Sequence, residues 1–224
     1  MLKTMNDLGQ DVSQTVCLLD IELQIRRKDH SRALEMLEQL IERADSGTFD
    51  VAQRMKLMIL KVQILAEVGI PQKGFSIALR AAVTAYRAKI YPTLWEAIGA
   101  LCTILNQLDE FESSTRLMSS IMPQLLECED CDLAARSFSV LADAHVGLAG
   151  KRRSQALQCR EPLSRGLENL NNAFDRFSSL EDVVGQCEML AKKATVMHLY
   201  GEPVLANDCA AQYLAIQRAA KEQQ

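Results

Sequence analysis

Apolar residues recur every three or four positions along almost the whole chain, which is the spacing of an amphipathic α-helix. In the first such segment, residues 12–27, the side chains of Val12, Val16, Leu19 and Leu23 fall along the helical register. The five prolines and ten glycines are too few for many short strands joined by tight turns. We therefore predict that the chain is all-α.

Polar residues, glycines and prolines divide this pattern into segments that pair as about five antiparallel helix hairpins. Ser31 is the predicted N-cap of the second helix, which Ser46-Gly47 ends. Gly147, Gly150 and the basic run Lys151-Arg152-Arg153 predict a long, solvated turn inside the fourth hairpin. The remaining predicted helices are 52–68, 72–90, 93–107, 110–128, 132–148, 162–177, 182–199 and 203–220.

In four of these hairpins the second helix carries a small residue early, followed by residues four and seven positions later. The small residue allows two helices to approach closely, and the two later residues lie on the same face. The first three sets are 41 and 40 residues apart, and the last follows after 92 residues, or two units of 46. We predict that the sets pack neighbouring helices together. They are Ala33/Leu37/Leu40, Gly74/Ala78/Ala81, Ser114/Met118/Ile121 and Ala206/Ala210/Tyr213.

The first helix of the third hairpin contains a repeat signature. From Trp95 to Cys102 the tetratricopeptide pattern W-x2-L-G-x2-Y is matched at three of its four positions, one of them Gly99. Tetratricopeptide units are about 34 residues long, and HEAT or armadillo units about 40–47. We predict a tetratricopeptide-like α-solenoid with each helix lengthened by about a turn. Trp95 and Gly99 are then repeat-packing residues, and the alternative for Trp95 is an anchor on a partner surface.

Composition and charge limit the classes of partner. The formal net charge is −4 with both signs scattered, so no basic stripe indicates nucleic-acid binding. Lys or Arg interrupts the longest apolar stretches, which predicts no contact with a membrane core. The odd count of seven cysteines predicts free thiols in a reducing compartment, the cytosol or the nucleus. No break resembles an interdomain linker, which predicts a single domain over residues 1–224.

No residue pattern indicates catalysis. Cys128-Glu129-Asp130-Cys131 lacks the second pair of ligands that a zinc site needs, so we interpret it as a turn between helices. His30, His145 and His198 occur singly, and the latter two fall on apolar helix faces, which favours core or groove positions over a catalytic base. We therefore predict no catalytic residue, no metal, no cofactor and no small-molecule substrate.

Four segments follow one another in a distinctive order: Gly69–Ser76, Tyr91–Leu101, Pro123–Cys128 and Leu141–Gly150. In this order they resemble the C-terminal tetratricopeptide region of the subunit 5 family of the anaphase-promoting complex, in the form found in filamentous fungi. The resemblance covers most of the chain and is weakest before Ser31 and after Gln186. Members of this family carry a further N-terminal helical domain, so we expect the chain to be a fragment or a truncated gene product.

The resemblance implies a non-catalytic scaffold in the platform of a multisubunit ubiquitin ligase that controls mitotic progression. Its implied partners are other subunits of that complex, the large scaffold subunit and the propeller platform subunit, in the nucleus and cytoplasm. The alternative is a peptide-binding tetratricopeptide adaptor outside the complex. A carboxylate clamp of that class needs Lys and Asn on several first helices, but residues 12–27 contain neither and Asn106 stands alone, which favours the scaffold.

Overall fold

The computed structural model describes residues 16–44, 50–128, 130–152 and 156–222. Within these ranges the chain forms ten helices and no strand, so the prediction of an all-α chain is confirmed. The helices are α1 (16–26), α2 (His30–Arg43), α3 (Val51–Glu67), α4 (Pro71–Ala88), α5 (Tyr91–Gln107), α6 (Phe111–Glu127), α7 (Cys131–Lys151), α8 (Ala156–Ser179), α9 (Val183–Leu199) and α10 (Pro203–Glu222).

The helices belong to two compact units, Met1–Ala100 and Leu101–Gln224, whose boundary falls within α5. In the first unit α3 packs against both α2 and α4, and in the second each helix from α6 to α10 packs against the next. The single domain predicted for the whole chain stays a prediction. A buried cluster in the first unit joins α1, α2 and α3; its members are Ile21, Ala33, Leu37, Leu40, Ala44, Leu57 and Ile64.

Aspartate side chains cap several helix N-termini. Oδ1 of Asp29 accepts a hydrogen bond from the backbone N–H of Arg32 at 3.2 Å, so Asp29 is the N-cap of α2. The prediction of Ser31 as the N-cap was wrong. Asp29 and Ser31 can both cap a helix, and the carboxylate of Asp29 also interacts favourably with the helix dipole. Ser46-Gly47 lies outside the described residues. Asp50, Asp130 and Asp182 cap α3, α7 and α9 in the same way.

Six of the turns between helices contain one residue in the left-handed conformation. Gly69 and Gly201 have φ of 80° and 83°, at turns where the sequence itself predicts a break. The other four positions are Lys28, Lys89, Asp109 and Glu181, with φ between 56° and 63°. In each turn the next backbone N–H donates to a carbonyl five residues back, for example from Asp182 to Phe177 at 2.9 Å. This pattern closes the helix end, and it requires positive φ whether or not glycine is present.

We expect Glu181→Gly to raise the free energy of unfolding by about 0.5–1 kcal/mol, because glycine adopts positive φ without the steric cost of a Cβ. Glu181 is exposed, so the substitution removes little packing. Gly201→Ala is the control with the opposite expected sign, since an added Cβ there meets no atom within 4 Å and only backbone strain changes. Urea denaturation followed by far-UV circular dichroism measures both. Equal destabilisation by the two variants would contradict the left-handed conformation of Glu181.

The fourth hairpin differs from its prediction. Helix α7 continues through Gly147 and Gly150 to Lys151, and α8 begins at Ala156, which places Pro162 inside a helix rather than at its start. A Cβ at Gly147 would overlap the ring of Phe111, the first residue of α6. Gly147 therefore provides space for a neighbouring helix and does not mark a turn.

Within the basic run after Gly150, Lys151 is the last residue of α7 and Arg152 is its C-cap, so these two residues do not lie in the predicted loop, although Lys151 is exposed. Nζ of Lys151 donates to the backbone carbonyl of Asp109 and lies 5.1 Å from the ring centroid of Phe111. Nη2 of Arg152 lies 2.9 Å from Oε1 of Glu112. These contacts connect the end of α7 to Asp109 in the turn that precedes α6 and to the first two residues of α6. Arg153 lies outside the described residues.

Candidate interaction surfaces

The predicted repeat-packing residues separate into two groups. The members of the first three sets are all buried; they are Ala33, Leu37, Leu40, Gly74, Ala78, Ala81, Ser114, Met118 and Ile121. In the fourth set Ala206 is buried, Tyr213 is half-buried and Ala210 is exposed. The predicted packing of Ala210 is wrong. The buried residues of α10 are Ala206 and Cys209, which are three positions apart, whereas the prediction placed the second buried residue four positions after Ala206.

Ser114 shows why one of these small residues is polar. Its Oγ donates a hydrogen bond to the backbone carbonyl of Cys102 on α5 at 3.3 Å, and Sγ of Cys102 donates to the carbonyl of Ser114 at 3.7 Å. Burial raises the pKa of the Cys102 thiol to about 11, so the thiol stays neutral. The pair therefore joins α5 to α6 with its polar side-chain groups satisfied.

Trp95 and Gly99 are both half-buried on α5. The rings of Tyr91 and Trp95 pack one turn apart, with centroids 6.3 Å apart and planes inclined by 32°. A Cβ added at Gly99 meets no heavy atom within 4 Å, so no neighbouring helix requires glycine there and its predicted packing role is wrong. The close contacts at glycine are instead those of Gly147 with Phe111, Gly166 with Val146 and Gly185 with Phe177.

A polar cluster without a signal in the sequence connects α7 to α9. Nζ of Lys192 donates to Oγ of Ser139 at 2.8 Å and to Oδ2 of Asp143 at 2.9 Å, and it lies 3.3 Å from Oε1 of Glu188. Burial alone would lower the pKa of Lys192, but the carboxylates of Asp143 and Glu188 outweigh burial and raise it. The lysine is therefore charged and does not act as a base toward Ser139. The cluster stabilises the helix contact.

We expect Lys192→Met to lower the free energy of unfolding by about 1–3 kcal/mol, because Ser139 and Asp143 lose their shared donor. Lys193→Met is the matched control. Nζ of Lys193 makes a single exposed hydrogen bond to Asn171, and its loss costs less than about 1 kcal/mol. Urea denaturation of both variants tests the difference, and indistinguishable midpoints would contradict the role given to Lys192.

The three histidines have different environments. His30 begins α2, and its Nδ1 lies 3.7 Å from a carboxylate oxygen of Glu67. His145 is buried in α7, and burial, followed by the nearby charge of Arg165, lowers its pKa, so it is neutral near pH 7. His198 is exposed on α9, in contrast with its predicted place on an apolar face. Of the three side chains, His145 alone is buried.

Cys128 and Asp130 lie between α6 and α7, as the sequence predicts, and Glu129 lies outside the described residues. Cys128 follows α6 and is half-buried, whereas Cys131 begins α7 and is exposed. Oδ1 of Asp130 accepts from the N–H of Leu133 at 2.9 Å and so caps α7. Among the described residues no group of three His, Cys, Asp or Glu side chains is arranged to hold a metal ion.

Large apolar side chains are exposed on several helices. On α1 and on α4 these side chains recur every three or four residues, so each set forms a stripe along its helix. The exposed residues include Val16, Leu19 and Leu23 on α1, Phe75, Leu79, Val83 and Tyr86 on α4, and Val184, Leu199, Val204, Leu205 and Leu214 on α9 and α10. Val12 lies outside the described residues. None of the described helices combines the length and apolar character needed to cross a bilayer.

Antiparallel helices that pack in sequence order define a helical-repeat protein, and solved structures share this fold. No protein-family model and no curated protein matches the chain. The structure "MamA 41-end from Desulfovibrio magneticus RS-1" is 12% identical, with a TM-score of 0.51 over 92% of this chain and 96% of that one. The "MamA RS-1 ArsTM double mutant" is 13% identical, with a TM-score of 0.52 over 93% and 97%.

This likeness shows the fold. The two solved structures are tetratricopeptide-like helical solenoids, so the predicted fold class, an all-α tetratricopeptide-like α-solenoid, is confirmed.

Proposed function

We propose that the chain is a non-catalytic scaffold that binds other proteins through the outer faces of its helices. The observation that carries this proposal is the set of exposed apolar side chains on α1, α4, α9 and α10. On α1 and on α4 these side chains follow one another along a single helix, and apolar stretches of surface that are contiguous mark contacts with partners. Repeat folds provide long faces of this kind and bind through them without changing shape.

We further propose that the scaffold belongs to the platform of the anaphase-promoting complex, as a counterpart of its subunit 5. The support is the ordered resemblance of four segments between Gly69 and Gly150. Its partners are then the large scaffold subunit and the propeller platform subunit, and its location is the nucleus and cytoplasm. Permanent assemblies of this kind use large and fairly apolar interfaces, which suits the exposed apolar side chains.

The competing proposal is a peptide-binding adaptor, and the first helices of the hairpins argue against it. Nζ of Lys61 on α3 lies 2.6 Å from Oε1 of Glu38. Nδ2 of Asn106 on α5 donates to the carbonyl of Val140 at 3.0 Å. Nζ of Lys192 on α9 donates to Ser139 and Asp143. These three side chains, which a carboxylate clamp could use, therefore make contacts within the fold.

We expect the chain expressed alone to aggregate, and its co-expression with the large scaffold subunit or the propeller subunit to keep it soluble, because a partner covers the apolar side chains. The measurement is the soluble fraction and the co-purifying mass, with an unrelated propeller protein as the control. A chain that is soluble and monomeric alone, ignores both subunits and binds a short C-terminal peptide at micromolar affinity supports the adaptor instead.

A further inference from the structure

Helix α4 carries three parallel stripes of different chemistry. Its small residues Gly74, Ala78, Ala81 and Ala85 are buried, and α4 packs against α3. A second stripe is apolar but exposed: Phe75 at 38%, Leu79 at 46%, Val83 at 41% and Tyr86 at 67%. These four side chains follow one another every three or four residues and cover about 16 Å of helix, or three turns. A soluble helix normally places polar residues on such a face.

The third stripe is basic. Lys73, Arg80 and Arg87 are spaced by seven residues, which places them on one line at intervals of about 10 Å. All three are exposed, and within the described part of the chain none forms an ion pair. Of the ten described helices α4 is the only one without an Asp or Glu. The face therefore has an uncompensated positive edge beside an apolar stripe.

We propose that the outer face of α4 binds an acidic amphipathic helix of a partner protein. This inference rests on the proposed function as a protein-binding scaffold and names the chemistry of one partner. Apolar side chains of the partner, spaced by three or four residues, pack on Phe75, Leu79, Val83 and Tyr86. Asp or Glu residues of the partner, along the side of its helix next to those apolar side chains, face Lys73, Arg80 and Arg87. The charges align the partner and speed its association, and the apolar stripe supplies most of the buried area.

The arrangement of the stripes favours a helix over a lipid surface. A helix that lies in a membrane interface immerses a whole apolar face, with basic residues on the polar face opposite. In α4 the basic line borders the apolar stripe at one edge, and the other edge is the buried contact with α3. A partner can therefore place its negative charges along only one edge of the apolar stripe. A single helix with acidic residues along one side, beside Lys73, Arg80 and Arg87, meets this condition.

The test starts from the full chain and a displayed library of random helical peptides. We expect the enriched peptides to combine Asp or Glu with Leu, Ile, Phe or Met at helical spacing. A fluorescein-labelled enriched peptide is then titrated by fluorescence anisotropy. Lys73→Glu, Arg80→Glu and Arg87→Glu together should weaken its binding about tenfold or more, because three attractive contacts become repulsive. Raising the salt concentration should weaken the parent as well.

The matched control reverses three other exposed charges, Lys56→Glu, Arg160→Glu and Arg218→Glu, and so changes net charge by the same amount. We expect its binding to stay within about twofold of the parent, since these three residues are on α3, α8 and α10 and none belongs to the basic line of α4. The six positions are exposed, and circular dichroism checks that both variants are folded. The double variant Leu79→Ser with Val83→Ser should weaken the binding of the peptide by a factor that does not depend on the salt concentration. This variant tests the apolar stripe separately.

Several outcomes overturn the proposal. Enriched peptides without acidic residues do so, as do equal losses in the two charge-reversal variants. Sedimentation of the chain with phosphatidylserine vesicles, abolished only by the α4 reversal, assigns the face to a membrane. A dimer dissolved by the α4 reversal assigns it to a second copy. If the platform subunits still co-purify with the chain while no acidic peptide binds α4, this inference fails and the scaffold proposal stands.

Discussion

Leu125→Ala is expected to lower the free energy of unfolding by about 2–5 kcal/mol, the usual cost of a cavity in a packed helical core. Leu125 is 0% exposed on α6, which packs against α7. The loss combines the transfer of the removed atoms to water with the contacts that the cavity wall loses. Urea denaturation by far-UV circular dichroism measures the loss. Hydrogen exchange should show faster opening in α6 and α7, because a lesion in a repeat array acts mainly on its neighbours.

The adjacent leucine is the control for this prediction. Leu126 stands on the same helix and is 45% exposed, so Leu126→Ala removes the same atoms from a site already in contact with water. We expect it to cost less than about 1 kcal/mol. The difference between the two variants depends on the side of α6 that faces the core. Similar costs would mean that the orientation of α6 is wrong.

Gly185→Ala is expected to destabilise the chain by about 1–3 kcal/mol, although alanine is the better helix former. The added Cβ would overlap the ring of Phe177 and lie 2.7 Å from Oδ2 of Asp182. Phe177 is 5% exposed and has little room to move. Asp182 caps α9 by accepting from the N–H groups of Val184 and Gly185, at 3.0 and 3.1 Å. The substitution therefore disturbs a packed ring and a helix cap together.

Gly99→Ala makes the same chemical change where nothing opposes it. No heavy atom lies within 4 Å of the added Cβ, and Gly99 is inside α5. We expect stabilisation by about 0.5–1 kcal/mol, because alanine restricts the unfolded chain more than glycine does. Thermal melting of the two variants should shift in opposite directions. A loss of stability at Gly99 would restore its predicted role in close helix packing.

The helical period was enough to place most helices and much of the core. Ala33, Leu37 and Leu40 share one face of α2 in any α-helix, and an apolar face of this kind is stable only when it is buried. Glycine and proline also predicted the turns at Gly69 and Gly201, where positive φ is needed. Lys28, Lys89, Asp109 and Glu181 adopt the same conformation without a sequence signal, because the helix-ending hydrogen bonds impose it.

The polar contacts between helices were not predictable in the same way. Lys192 and Asp143 are 49 residues apart in the chain, and no local pattern connects them. The basic residues of α4 are visible in the sequence. Only their exposure and the exposure of Phe75, Leu79, Val83 and Tyr86 reveal the face that we assign to a partner.

The sequence by itself determined that this chain is helical and which faces of most helices are buried, because helix formation and amphipathic burial depend on neighbours within a few residues. The tertiary structure alone decided the role of each glycine. The sequence predicts a turn at Gly147, but this glycine instead leaves space for the ring of Phe111. Gly99 matches a packing signature, but an added Cβ there meets no heavy atom within 4 Å. The difference lies in the side chain that a neighbouring helix places opposite each glycine, and helix propensity is too weak a force to override that contact.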